Sequence, residues 1–169
     1  MTIKLSPLVN IGVIVPNAEE AYQLLFNLFG AQKVQEELTN FLNGDLAKVI
    51  HVGLGDVILR FIEPIAKEGP WYNHLIKKGP GVYNLTFIVE NIKDVIEEME
   101  KQGGIDPLFT FDLEWEKLVG KENFNPNSRK VHIFNTMNTL GFHLELFERP
   151  SFKTPEFMYT DVKEWWDRK

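Results

Sequence analysis

The chain has 169 residues, 44% hydrophobic and 25% charged, which specifies a folded globular protein and excludes a disordered one. A formal net charge of −6 excludes nucleic acid and anionic membrane surfaces as main partners, because phosphate binding needs clustered lysine and arginine. With no cysteine, disulfides, thiol nucleophiles and thiolate metal sites are excluded, and a reducing, cytoplasmic location is the expectation. No apolar run approaches the roughly 18 residues needed to cross a bilayer, and residues 1–8 lack the basic-then-apolar pattern of a secretory signal.

Residues 10–17 read as a strand running straight into a helix. Shifted by 74 positions, residues 84–91 read the same way: Asn10 overlies Asn84, Ile14 overlies Ile88, Val15 overlies Val89 and Asn17 overlies Asn91. Asn17 and Asn91 stand where N-caps belong, with Glu20 and Asp94 three residues later. Ala18, Ala21, Tyr22 and Leu25 form the apolar stripe of the first helix, and Ile92, Val95, Ile96 and Met99 that of the second. Gly30 and Gly103 supply the stops.

Three strands follow each helix: residues 32–36, 48–53 and 56–63, then residues 105–109, 130–135 and 142–147. Residues 53–56 suit a hairpin turn. With a shift of 85, Leu59 meets Leu144 and Glu63 meets Glu148, so the repeat reaches the last strand of each copy. Chance similarity between two amphipathic units is the alternative, and the matched caps, element order and strand ends argue against it. The predicted fold is α+β: two tandem βαβββ modules forming a cupped eight-stranded mixed sheet around a central pocket. A single domain spans residues 1–148, with module one at 7–64, a linking helix at 70–78 and module two at 81–148. Residues 111–129 are expected to form a loop or lid over the pocket mouth. The tail, residues 149–169, carries Phe152, Phe157, Tyr159, Trp165 and Trp166, too many aromatics to stay solvated. It is expected to fold back or to pack on a second subunit, making a homodimer.

Alternation sorts the strand residues by face. Ile11, Val13 and Val15 oppose Asn10, Gly12 and Ile14, while Leu85, Phe87 and Val89 oppose Asn84, Thr86 and Ile88. The wholly apolar faces belong against helices, so the mixed faces line the concave side. They are joined there by Ile58, Arg60 and Ile62 and by His143, Glu145 and Phe147. Asn10, Asn84, Arg60 and Glu145 thus share one predicted face, and burying any of them alone costs on the order of several kcal/mol. A structural polar cluster or solvated strand ends are the other readings. His51 and His132 read as hydrogen-bonded or edge residues and His74 as a surface residue. No serine sits in an elbow motif, and no phosphate-binding glycine loop is present.

The stretches 48–64, closing on Glu63 and Pro64, and 130–146, with Gly141 and Glu145, resemble the vicinal oxygen chelate superfamily, the glyoxalase and bleomycin-resistance fold. Within it the chain looks most like methylmalonyl-CoA epimerases, over residues 7 to 148. The resemblance implies four metal ligands, from the first, fourth, fifth and eighth strands, usually His, Gln or Glu, His and Glu. Those positions hold Asn10, Arg60, Asn84 and Glu145, of which Glu145 alone matches. Amides are poor transition-metal ligands beside imidazole, and the permanently charged guanidinium of Arg60 repels a divalent cation. These departures from the family pattern lead to the expectation of no metal and no other cofactor, with an Arg60–Glu145 ion pair in place of the ion. The epimerases' carboxylate at the start of the third strand has Asp45 as its only nearby counterpart, and coenzyme A recognition does not carry over.

In enzymes of this superfamily an oxyanion forms at the metal while a carboxylate moves a proton. Here Arg60, Asn10 and Asn84 would donate to the oxyanion, and Glu145 or His143 would serve as base. The expected activity is metal-independent isomerisation, epimerisation or racemisation beside a carbonyl of a small molecule, its aromatic character inferred from Phe147 and the aromatic residues of the insertion and tail. Thr86, Phe147 and Ile58 complete the expected substrate-binding set. A non-catalytic ligand-binding protein of the bleomycin-resistance kind is the alternative, and a divalent-metal lyase of the glyoxalase kind the second.

Overall fold

A computed structural model describes residues 3–153 of the protein. Phe157, Tyr159, Trp165 and Trp166 of the tail lie outside the described residues. The chain divides into two compact units, one of residues Asn10–Tyr83 and one of the residues before Asn10 and from Asn84 onward.

In the first unit, β1 (Asn10–Ile14) leads into α1 (Ala18–Phe29), followed by β2 (Gln32–Lys33), α2 (Glu36–Leu42), β3 (Ala47–Leu54), β4 (Val57–Pro64) and α3 (Gly69–Lys78). The strand order is β2-β3-β4-β1, with β1 parallel to β4 and the other pairs antiparallel. The Asn17 side chain accepts from the Glu20 N–H at 3.0 Å, the cap that opens α1. Gly30 closes the helix in the left-handed region, φ 67°. A second anchor comes from the far end of the unit, where the Ala18 N–H donates to Glu63 Oε2 at 2.9 Å. The core packs Val15, Ala18, Ile50, Val52 and Phe61 with Tyr22 and Leu25 of α1. That packing places Val13, Leu59 and Phe61 on the α1 side and their alternates Gly12, Ile58 and Arg60 on the opposite face.

The second unit repeats the plan. After β5 (Gly81–Val89) come α4 (Ile92–Gly103), β6 (Pro107–Asp112), α5 (Glu116–Val119), β7 (Lys130–Phe134), α6 (Met137–Leu140) and β8 (His143–Glu148). The order is β5-β8-β7-β6, with β5 parallel to β8. Asn91 caps α4 by accepting from the Lys93 and Asp94 N–H groups at 3.0 and 3.4 Å. The Ile92 N–H donates to Glu148 Oε2 at 3.2 Å, the counterpart of the Glu63 anchor. Val89, Ile92, Val95, Phe134 and Leu146 form this core with Ile96 and Met99. The class is therefore α+β, with two βαβββ modules and mixed strand pairing, as the repeat in the sequence predicts.

Local departures have local causes. The strand expected at residues 32–36 stops at Lys33, because Gln35 turns into the left-handed region, φ 52°, and starts α2. Gly104 rather than Gly103 caps α4. The sixth strand begins at Pro107 and runs to Asp112, so it takes the first residues of the expected loop. The remainder of that segment is folded as well: α5 and a 3-10 turn at Pro126–Arg129 pack it against β8, where Asn125 Nδ2 donates to Glu148 Oε1 at 3.1 Å.

Candidate functional site

In the second unit, register brings the sequence-predicted residues together. Asn84 pairs with His143, Thr86 with Glu145 and Ile88 with Phe147, and all six lie on the face away from Leu144, Leu146 and the α4 core. Asn84 Nδ2 donates to Thr86 Oγ1 at 3.0 Å, and Thr86 Oγ1 donates to Glu145 Oε1 at 3.1 Å. The direction of this relay is fixed by chemistry: the amide nitrogen can only donate and a carboxylate can only accept, so the hydroxyl proton points at Glu145. Asn84 is fully buried and Glu145 is 2% exposed. Burial at that level demands such donors, since an unsupported carboxylate there costs several kcal/mol.

His143, two residues before Glu145 on the same face, is buried and directs Nδ1 at the Phe134 carbonyl at 3.2 Å. A carbonyl only accepts, so Nδ1 carries the proton and Nε2 the lone pair in the neutral ring. That tautomer suits a base or an acceptor at Nε2. Phe147, expected to touch substrate, is 4% exposed and stacks on Trp115, with ring centroids 5.5 Å apart and planes 29° apart. Trp115, which the strand pattern does not single out, is its stacking partner. It lies in a charge-rich segment without periodicity, and only its size marked it as a residue that would be buried.

In the first unit, Asn10, Arg60 and Ile58 are all buried, at 3%, 8% and 1% exposure. Arg60 is the cross-strand partner of both Gly12 and His51. His51 is fully buried, and the Thr39 hydroxyl lies 2.8 Å from Nδ1. Burial first, and the Arg60 charge second, push its pKa down to about 3, so the ring is neutral. The hydrogen-bonded reading of His51 holds, and Arg60 as its neighbour adds an electrostatic reason for neutrality.

The other histidines divide. His132 is on the opposite face, cross-strand from Leu146, with Thr110 Oγ1 3.1 Å from Nδ1, and burial followed by the Lys130 charge lowers its pKa. His74 is not a free surface residue: it is half-buried and meets the Tyr83 ring edge-on at 5.1 Å.

A resident divalent cation would need a matching donor set. Asn10 and Arg60 offer the first unit's face an amide and a fixed positive charge, and the second unit's face offers one carboxylate already engaged by Thr86. Among the described residues no group of three or more His, Asp or Glu could hold a metal ion. This donor set does not fit a divalent cation.

The profile of the family described as the Glyoxalase/Bleomycin resistance protein/Dioxygenase superfamily matches residues 10–107. A methylmalonyl-CoA epimerase from Mycobacterium tuberculosis superposes with a TM-score of 0.59 at 14% identity, over 88% of this chain and 91% of that one. A hypothetical protein from Bacillus halodurans C-125 gives 0.59 at 16% identity, over 89% and 97%. A variant of the Streptomyces coelicolor methylmalonyl-CoA epimerase in complex with 2-nitronate-propionyl-CoA gives 0.59 at 15% identity, over 86% and 98%. No curated protein matches by sequence. At these identities the likeness shows the fold.

Proposed function

Because this chain belongs to the glyoxalase, bleomycin resistance protein and dioxygenase superfamily, we propose that it is an enzyme moving a proton beside a carbonyl group of a small molecule. Isomerisation, epimerisation and racemisation all belong to this class, and the reaction proceeds without a metal ion. The observation that supports it is the Asn84–Thr86–Glu145 relay: a buried carboxylate whose Oε1 is held by a hydroxyl pointed by an amide. A base held in one rotamer needs no reorganisation when the proton moves. His143, whose Nδ1 faces the Phe134 carbonyl, is the second candidate proton carrier. The sequence assigns Arg60, Asn10 and Asn84 the task of donating to the developing oxyanion.

The test is solvent deuterium exchange into a panel of small ketones and thioesters, in the presence of chelator. Exchange should persist in chelator and fall by at least about a hundredfold in Glu145→Gln. Loss of exchange on chelation, or a Glu145→Gln variant as active as wild type, would defeat the reading. The stacked Trp115–Phe147 pair favours a second reading, a protein that binds a planar ligand without turnover. Saturable ligand binding with no exchange in either form would establish that alternative.

A further inference from the structure

The first unit contains a cavity of about 340 Å³ at the open edge of β3, at the small end of the range for ligand sites. It exists because β2 is only two residues long, pairing Gln32 with Gly53 and Lys33 with Val52. The chain then leaves the sheet through Val34 and the left-handed Gln35, and α2 stands where a longer strand would have covered residues 47–50. Val34, Val49 and Ile50 give it an apolar floor. Two contacts satisfy the edge on either side of the cavity: the Val34 N–H donates to the His51 carbonyl at 3.0 Å, and the Val49 N–H donates to Asn43 Oδ1 at 2.5 Å.

Four charges line the cavity, and two cancel. Lys33 Nζ reaches Glu19 Oε2 at 2.9 Å. Lys48 on β3, whose charge also acts on Glu19, and Glu36 on α2 bring a further cation and a further anion to the lining from two different elements. Asn40 and Asn43 add neutral donors and acceptors between them. Thr39, whose hydroxyl holds His51 Nδ1, closes the wall on the α2 side. His51 is fully buried, and its Nε2 has no hydrogen-bond partner. A cavity with an apolar floor, charges of both signs in its lining and neutral polar groups among them complements a compact molecule carrying both charges. A simple anion would meet Glu36, and a simple cation would meet Lys48.

We propose that this cavity binds a small zwitterion of amino-acid size, its carboxylate toward Lys48 and its ammonium toward Glu36. The site lies wholly within the first unit and does not draw on Glu145.

The experiment is an NMR titration of the full chain with L-alanine and glycine, with acetate and methylammonium as single-charge probes. The Val49 amide and the Asn43 side-chain amide, bonded to each other in the lining, report occupancy. One of the zwitterions should shift both saturably with a Kd in the millimolar range, with each single-charge probe at least about tenfold weaker. Lys48→Met and Glu36→Gln, both at solvent-accessible positions, should each weaken binding by about tenfold. Glu145→Gln should leave it unchanged, which separates this site from the proton-transfer reading. No saturable shift up to about 100 mM overturns the proposal, as does acetate or methylammonium binding as tightly as the zwitterions. Charge variants that bind like wild type overturn it too.

Discussion

Gln35 holds a backbone conformation that costs a non-glycine residue about 1–2 kcal/mol, and neither of its buried side-chain amide atoms has a hydrogen-bond partner. Gln35→Gly should therefore stabilise the protein by about 1 kcal/mol in urea denaturation, and a loss of stability there would contradict the strain. Thr86 is the reverse case. Its hydroxyl serves Asn84 and Glu145 together, so Thr86→Val should cost about 1–3 kcal/mol, read from the shift in denaturation midpoint. At this scale much was legible beforehand. Two-residue alternation alone assigned Asn84, Thr86, His143, Glu145 and Phe147 to one face, because a strand's geometry leaves a side chain only two directions. The partners were not legible, since hydrogen bonding depends on register between strands far apart in the chain. His51 shows the difference: the sequence pattern puts it in a strand, but its place beside Arg60 is a property of pairing.

Among the elements, the repeat was legible wherever a cap or a periodic stripe marked it, as at Asn17 and Asn91. The helices α2 and α6 carried no such mark. They are seven and four residues long, too short for a stripe to declare itself, and neither has a side-chain cap. The segment around α5, expected as a loop or lid, has α5 and the 3-10 turn as its short helical pieces beyond Asp112, and its charge content hides the one large ring buried in it, Trp115. Trp115→Ala should cost about 3–5 kcal/mol if that ring anchors the segment, with faster amide exchange confined to residues 113–129 and β8. Unchanged exchange there would show that the stack is incidental. Glu148 ties α4 and Asn125 to the end of β8. Glu148→Ala should cost about 2–3 kcal/mol by calorimetry, more than the same change at half-exposed Glu63.

For the molecule as a whole, acid is the expected weakness. The native pKa of His51 is about 3, against roughly 6.5 in an unfolded chain. Below pH 6.5 the unfolded state takes up a proton that the native state refuses. The stability is therefore complete above that pH and declines toward pH 3, by at most about 1.4 kcal/mol per unit from this group. His132, also lowered, acts in the same direction. Urea midpoints at pH 7 and pH 4.5 test this: His51→Asn should flatten the difference between them, and an unaltered slope would remove His51 as the cause. No helix among the described residues is long and apolar enough to cross a membrane.

The two glutamates near the ends of β4 and β8 have a consequence for descent. Each fastens the close of a module to the opening turn of that same module's helix, Glu63 to Ala18 and Glu148 to Ile92. A copied module brings its own clasp and needs none from its sibling. Tandem fusion then needs no prior adaptation of the copies, and the positions between the clasps that lie outside the two cores are free to drift toward separate tasks.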